Sequence, residues 1–245
     1  MKIQIVENVL KLNDEVAAAN RARLAQGRVF TVDLMGAPGA GKTALLEATL
    51  KRLPASTRAA VIVGDLATAR DGQRLQACCR QVVQVNTGKT CHLEAHHVAR
   101  ALQRLNLDRI DLLIIENVGN LICPVGFDLG QGAKVGLFSV TEGDDKAAKH
   151  PFLVRESDLL VLNKVDLLPY VKFDSGVFRR DVARLRPHAR LIETSVTTGQ
   201  GLDLWINWLL GCCATLRTRG RSGGPVAIGR GRPRKTRPAR KDAAL

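Results

Sequence analysis

The stretch "VFTVDLMGAPGAGKTALLEATL", Val29 to Leu50, decides the fold. It opens on a short continuous apolar run, the kind that suits a parallel strand buried on both faces. "GAPGAGKT", Gly36 to Thr43, then matches G-x-x-x-x-G-K-[ST], and a helical pattern follows. In that strand–loop–helix context, Gly36, Gly39 and Gly41 let backbone N–H groups turn inward around phosphate oxygens. The helix N-terminus adds its positive end. Lys42 is placed to reach the β- and γ-phosphates of a nucleoside triphosphate, and the Thr43 hydroxyl to ligate Mg²⁺.

Six further apolar runs follow at 59–65, 82–86, 111–116, 134–140, 158–163 and 190–194, alternating with helical stretches. The alternation predicts an α/β, doubly wound, mostly parallel sheet of about seven strands with helices on both faces. Ligands then bind outside the carboxyl ends of the strands. A helix over residues 5–27 precedes the sheet. Another, Gly201 to Leu216, closes it, with Trp205, Trp208 and Leu209 on one packing face. The Cys78–Cys79 and Cys212–Cys213 pairs read as packing, since neighbouring residues on a helix point to different sides and a free cysteine is often a small buried hydrophobe.

Base and metal groups fall at strand ends. "NKVD", Asn163 to Asp166, follows the sixth strand. The Asp166 carboxylate can accept from N1–H and the exocyclic amine of guanine, donors that adenine lacks on that edge. Asn163, Lys164 and Asp166 together with the phosphate loop therefore point to GTP. Asp65 ends the second strand, Asp71 lies six residues on, and Glu116 ends the fourth. These acids are candidates for holding Mg²⁺, Asp65 with Thr43 above all, or for orienting the attacking water, as Asp71 and Glu116 would beside Lys42. Ser195, in "TSVTTGQGL", is a weaker candidate for a third base loop.

"NTGKTCHLEAHH", Asn86 to His97, adds one cysteine and three histidines. Residues 91–103 are expected to be helical. His92 and His96 then share a face at i, i+4, with His97 elsewhere. Cys91 at the helix start is expected to favour thiolate. Cys123, in "NLICP", ends on the same sheet edge, so Cys91, His92 and Cys123 can converge on Ni²⁺ or Zn²⁺, one ligand short of a closed structural zinc site.

Charge divides unevenly. Between Arg217 and Leu245 ten Lys/Arg face one Asp, so this segment holds +9 of the net +14 and leaves +5 for the rest. Residues 1–216 are thus read as the nucleotide-binding domain. Residues 217–245 are a basic Arg/Pro/Gly-rich tail with too little apolar surface to order itself. Nucleic-acid binding is not expected of the body, and any such affinity belongs to the tail. No signal peptide opens the chain and no apolar stretch reaches the length of a membrane span, since 204–216 is too short and contains Asn207. With unframed cysteines as well, a cytoplasmic protein with free thiols and no membrane insertion is expected.

Long stretches in this order are similar to the hydrogenase-maturation nickel-insertion GTPases of the HypB type, from Ile3 to Leu210. They include "LMGAPGAGKTALLE", "VNTGKTCHLEAH", "ENVGNLICPVGFDLG", "SVTEGDDK" and "NKVDLLPYVKFD". The resemblance implies a slow GTPase that forms a homodimer in the GTP or metal state. It implies nickel delivery to the [NiFe]-hydrogenase large subunit, with a HypA-type metallochaperone. It also implies an inter-subunit metal site at Cys91, His92 and Cys123 with His96 auxiliary, and switch acids at Asp71 and Glu116. Lys146 or Lys149 is implied to reach the partner's guanine. Two alternatives stand beside it: a urease-type nickel-insertion GTPase, and a non-enzymatic nickel/zinc-binding protein. "CHLEAH" and "ENVGNLICP" favour the hydrogenase branch. The chain lacks the N-terminal cysteine motif, the His-rich storage stretch and the lysine expected in the "TSVTTG" loop.

Overall fold

The computed structural model describes residues 2–65, 70–88 and 90–219. Lys89 of the "NTGKT" stretch and the tail beyond residue 219 lie outside them. In chain order the elements are α1 (Lys2–Gln26), β1 (Phe30–Gly36), α2 (Lys42–Arg52), β2 (Ala59–Asp65), α3 (Arg70–Gln76), β3 (Gln81–Asn86), α4 (Ala95–Leu102) and β4 (Leu112–Glu116). They continue with β5 (Ala133–Ser139), α5 (Lys146–Lys149), α6 (Pro151–Glu156), β6 (Leu159–Asn163), α7 (Ser175–Leu185), β7 (Leu191–Thr194) and α8 (Leu202–Arg219). The expected closing helix therefore runs past Leu216, through the first residues assigned to the tail.

The seven strands form one sheet in the order β3-β2-β4-β1-β5-β6-β7, all pairs parallel. Strand order reverses on either side of β1, between β4 and β5. The loop leaving β1 thus opens into the crevice where ligands bind in such sheets.

Alternation along the strands explains why both faces are covered. Val32, Leu34, Leu112, Ile114, Val135 and Leu137 point to one face and pack with Leu45 and Leu46 of α2 and Trp205 and Leu209 of α8. Their chain neighbours Leu113 and Ile115 meet Leu24 of α1 and Val98 and Leu102 of α4. Met35, Phe138, Leu160 and Leu162 meet α6 and α7. Continuous Val/Leu/Ile runs are what such two-sided burial requires.

Trp205 is fully buried, stacks on Trp208 at 5.7 Å and donates its indole N–H to Thr49 Oγ1 at 2.8 Å. Trp205→Ala is expected to lower unfolding free energy by about 3–5 kcal/mol. Denaturant unfolding would contradict this if the loss were no larger than for an exposed substitution. Cys79 and Cys213 are core thiols while Cys78 and Cys212 are only half-buried, as expected of adjacent pairs. No described helix is long and apolar enough to cross a membrane.

Candidate nucleotide and metal site

Gly39 (φ 76°) and Gly41 (φ 99°) turn the loop after β1 through left-handed backbone, which glycine adopts without steric cost. At Gly41 the space is also closed, because a Cβ there would stand 2.5 Å from Asn163 Nδ2. Lys42 is buried and donates from Nζ to the carbonyls of Gly36 (3.0 Å) and Ala37 (3.1 Å). Burial lowers its pKa, while the Glu116 carboxylate opposes that shift.

Thr43 donates its hydroxyl to Glu116 Oε1 at 2.7 Å. Glu116 is 4% exposed, and its Oε2 has no hydrogen-bond partner. Burial pushes this carboxyl up to about 7, against the pull of Thr43 and Lys42. A buried carboxylate with one orphaned oxygen beside a threonine hydroxyl is a hard-oxygen donor set suited to Mg²⁺. Strand order explains why Glu116 is the acid paired with Thr43. It ends β4, next to β1, whereas Asp65 ends β2, one strand further out. Asp71 lies in the first turn of α3, partly exposed, 3.5 Å from Arg74.

The "NKVD" segment locks onto the phosphate loop. Asn163 is buried, donates to Ala40 O (3.0 Å) and accepts from Thr194 Oγ1 (3.1 Å), so it joins β6, β7 and the loop. Lys164, itself left-handed (φ 61°), donates to Gly39 O at 2.7 Å. Asp166 follows on a 3₁₀ turn, Val165–Tyr170, half-buried at the same edge. Ser195 is fully buried, and its Oγ accepts from Thr198 N, which shapes the next loop.

Cys91, His92 and Cys123 offer donor atoms that lie within 4.8 Å of one another. Cys91 is exposed and the other two are half-buried. The local structure differs from the sequence expectation in three ways. First, α4 begins at Ala95, so Cys91 and His92 precede it in irregular backbone. Second, the Cys91 thiol is raised above its ordinary pKa, chiefly by its hydrogen bond with Cys123; the helix start lies four residues away. Third, His96 is outside the cluster and packs on His97, ring centroids 3.9 Å apart. His92 and His96 are linked instead through Glu94, at 3.7 and 3.3 Å. His97 Nδ1 accepts from Glu94 N at 3.1 Å, a structural cap at the start of α4.

His92 packs at a tilt on Phe127, ring centroids 4.1 Å apart, and has Nδ1 3.8 Å from Cys91 Sγ. Burial lowers its pKa, which favours the neutral imidazole that metals take. Two thiols and one imidazole are soft donors suited to nickel or zinc.

The asparagines of "ENVGN" were not picked out from the sequence. Asn117 accepts from Leu93 N and Val118 N (both 3.0 Å) and donates to Asp33 Oδ1 (3.0 Å). Asn120 accepts from Ile122 N (2.8 Å) and Cys123 N (3.4 Å) and donates to Cys91 O (3.5 Å). A short polar side chain in a loop, able to hold backbone two residues on, is the available signal.

Asp33 is fully buried, and burial raises its carboxyl from 3.8 to about 6 despite the bond from Asn117. Its folded pKa exceeds the unfolded one. The stability it contributes is therefore whole below about pH 4 and lost as pH rises through 6. The loss is on the order of 3 kcal/mol. Asp33→Asn is expected to flatten that part of the pH profile in urea unfolding. An unchanged profile in the variant would count against it.

The sheet order and the phosphate loop at its reversal point define a P-loop nucleoside triphosphatase fold. Residues 30–193 match the family described as CobW/HypB/UreG, nucleotide-binding domain. The hydrogenase maturation factor HypB of Escherichia coli K12 is 46% identical over 207 residues, spanning 84% of this chain and 71% of that protein. Among solved structures, HypB of Archaeoglobus fulgidus aligns at TM-score 0.78 and 40% identity, over 83% of this chain and all of that one. HypB of Helicobacter pylori in complex with nickel aligns at TM-score 0.79 and 33% identity, over 87% and 99%. This chain belongs to the CobW/HypB/UreG family and, within it, to the HypB hydrogenase maturation factors.

Proposed function

We propose that this protein is a GTP-hydrolysing switch that carries nickel during maturation of [NiFe]-hydrogenase. One observation carries the reading: three soft donors within 4.8 Å stand on the same sheet edge as a phosphate loop and a guanine-type "NKVD" turn. The nickel complex of the Helicobacter pylori relative supports nickel as cargo.

In this reading the amides of Gly36 to Thr43 bind the phosphates, and Lys42 leaves the Gly36 and Ala37 carbonyls for the β- and γ-oxygens. Thr43 and Glu116 would hold Mg²⁺, with Asp65 the further acid available to it, and a bound Mg²⁺ would supply positive charge beside the phosphates. Asp71 orients the attacking water. Asn163 and Lys164 fix the turn from which Asp166 reads guanine. Cys91, His92 and Cys123 hold Ni²⁺, or Zn²⁺ at rest, and must lose the thiol protons to do so. Three donors leave the set open, to be completed by a second copy of the chain. A HypA-type metallochaperone supplies the metal and the hydrogenase large subunit receives it in the cytoplasm.

The test is light scattering of the full chain with Mg²⁺ and a non-hydrolysable GTP analogue, with and without Ni²⁺. A dimer is expected with both ligands, and Cys123→Ala should weaken the nickel-dependent part. A mass that ignores both ligands would overturn the shared site.

A further inference from the structure

We propose that Asn120 is the positioning residue through which nucleotide state reaches the metal donors. The proposal rests on the switch reading above. Asn120 touches both sites at once. Its backbone N–H donates to Gly36 O at 3.1 Å, and the two residues form an isolated antiparallel bridge between the phosphate loop and the segment after β4. The neighbouring residue is pressed against the same loop, since a Cβ on Gly119 would stand 2.9–3.1 Å from Pro38. On its other side, the Asn120 amide oxygen holds Ile122 N and Cys123 N, and the amide nitrogen holds Cys91 O. One side chain thus ties both cysteine backbones together, and one peptide N–H ties that side chain to the phosphate loop.

The Gly36 carbonyl supplies the sensitivity. It accepts from two donors, the Lys42 ammonium at 3.0 Å and Asn120 N at 3.1 Å. When Lys42 turns to a β- or γ-phosphate it gives up that carbonyl, and Asn120 becomes its remaining donor among these two. A carbonyl relieved of a charged competitor binds its other donor more strongly. The bridge tightens and carries the Asn120 side chain with it.

The histidine is anchored differently. Leu93, next to His92, is held by Asn117, which is fastened to the buried Asp33 within β1. Nucleotide state therefore displaces the two cysteines relative to the histidine. It changes the spacing of the donor set, which is a differential contact of the kind that coupling between two sites requires.

The experiment is nickel binding by equilibrium dialysis to the full chain in excess Mg²⁺, once with GDP and once with a non-hydrolysable GTP analogue. The quantity read is the ratio of the two nickel dissociation constants. Thiolate-to-nickel charge-transfer absorption is recorded alongside. The wild-type ratio is expected to fall in the range usual for coupled sites, about 5- to 150-fold. Asn120→Ala is expected to bring the ratio towards one and to make the absorption band indifferent to nucleotide. Asn120→Asp keeps the acceptor for Cys123 N and removes the donor to Cys91 O. Its ratio should lie between the other two, and it serves also if the alanine variant does not fold. A wild-type ratio retained in both variants overturns the role of Asn120 and leaves the switch reading intact. A wild-type ratio of one overturns both.

Discussion

Asp166→Asn is expected to weaken GTP binding by about 10⁴-fold and to create affinity for xanthosine triphosphate. A carboxylate accepts from both N1–H and the 2-amino group of guanine. The carboxamide presents an N–H to that amino group, so two donors face each other and both lose their partner in a water-poor site. Xanthine has a carbonyl where guanine has the amine, and the carboxamide matches it. The turn before Asp166 is firmly held: Asn163 is bound to Ala40 and Thr194, and Lys164 to Gly39. Competition binding against GTP, ATP and xanthosine triphosphate reads the swap. If the variant keeps wild-type GTP affinity, base selection lies elsewhere, and the loop at Ser195 becomes the candidate.

Lys42→Ala is expected to lower single-turnover GTP hydrolysis by about 10²–10³-fold, the usual effect of removing one preorganised donor from developing negative charge. The Lys42 ammonium already sits inside the phosphate loop, held by two backbone carbonyls. Its cationic form is favoured by Glu116, Glu142 and Asp71 against the cost of burial. On the proposed reading the ammonium exchanges these carbonyls for phosphate oxygens within the same loop. Phosphate release measured with enzyme in saturating excess over nucleotide separates this loss from weaker binding and from product release. A rate equal to wild type would place the catalytic charge on another group and would favour a protein that uses nucleotide for structure alone.

The parallel sheet was legible because its signal is local. Each strand is a short apolar-rich run ended by a polar or glycine residue, and the phosphate loop announces the strand before it and the helix after it. Cys91, His92 and Cys123 were legible as chemistry, since soft donors stand out at strand ends. The backbone between Cys91 and Glu94 was not. Its residues fit a helical period, yet Asn117, 24 positions away, accepts from Leu93 N, and Asn13, 82 positions away, accepts from Ala95 N. The Ala95 amide, which a helix from Cys91 would give to the Cys91 carbonyl, goes instead to a distant side chain, and no window of sequence contains both partners. His96 falls outside the donor cluster because α4 begins only at Ala95, and His97 caps that helix locally by accepting from Glu94 N. That Glu116 rather than Asp65 meets Thr43 is likewise non-local, since it follows from strand order across the sheet. Asn120 was not legible for the same reason. Its backbone bridges to Gly36, more than 80 residues upstream.

The most direct test of the account is nickel stoichiometry with the GTP analogue bound, comparing the wild-type chain with Cys91→Ala and Cys123→Ala by equilibrium dialysis. The account predicts nickel binding that tightens on exchanging GDP for the analogue and is lost in either variant. Nickel binding that ignores nucleotide, or that survives both substitutions unchanged, would contradict it.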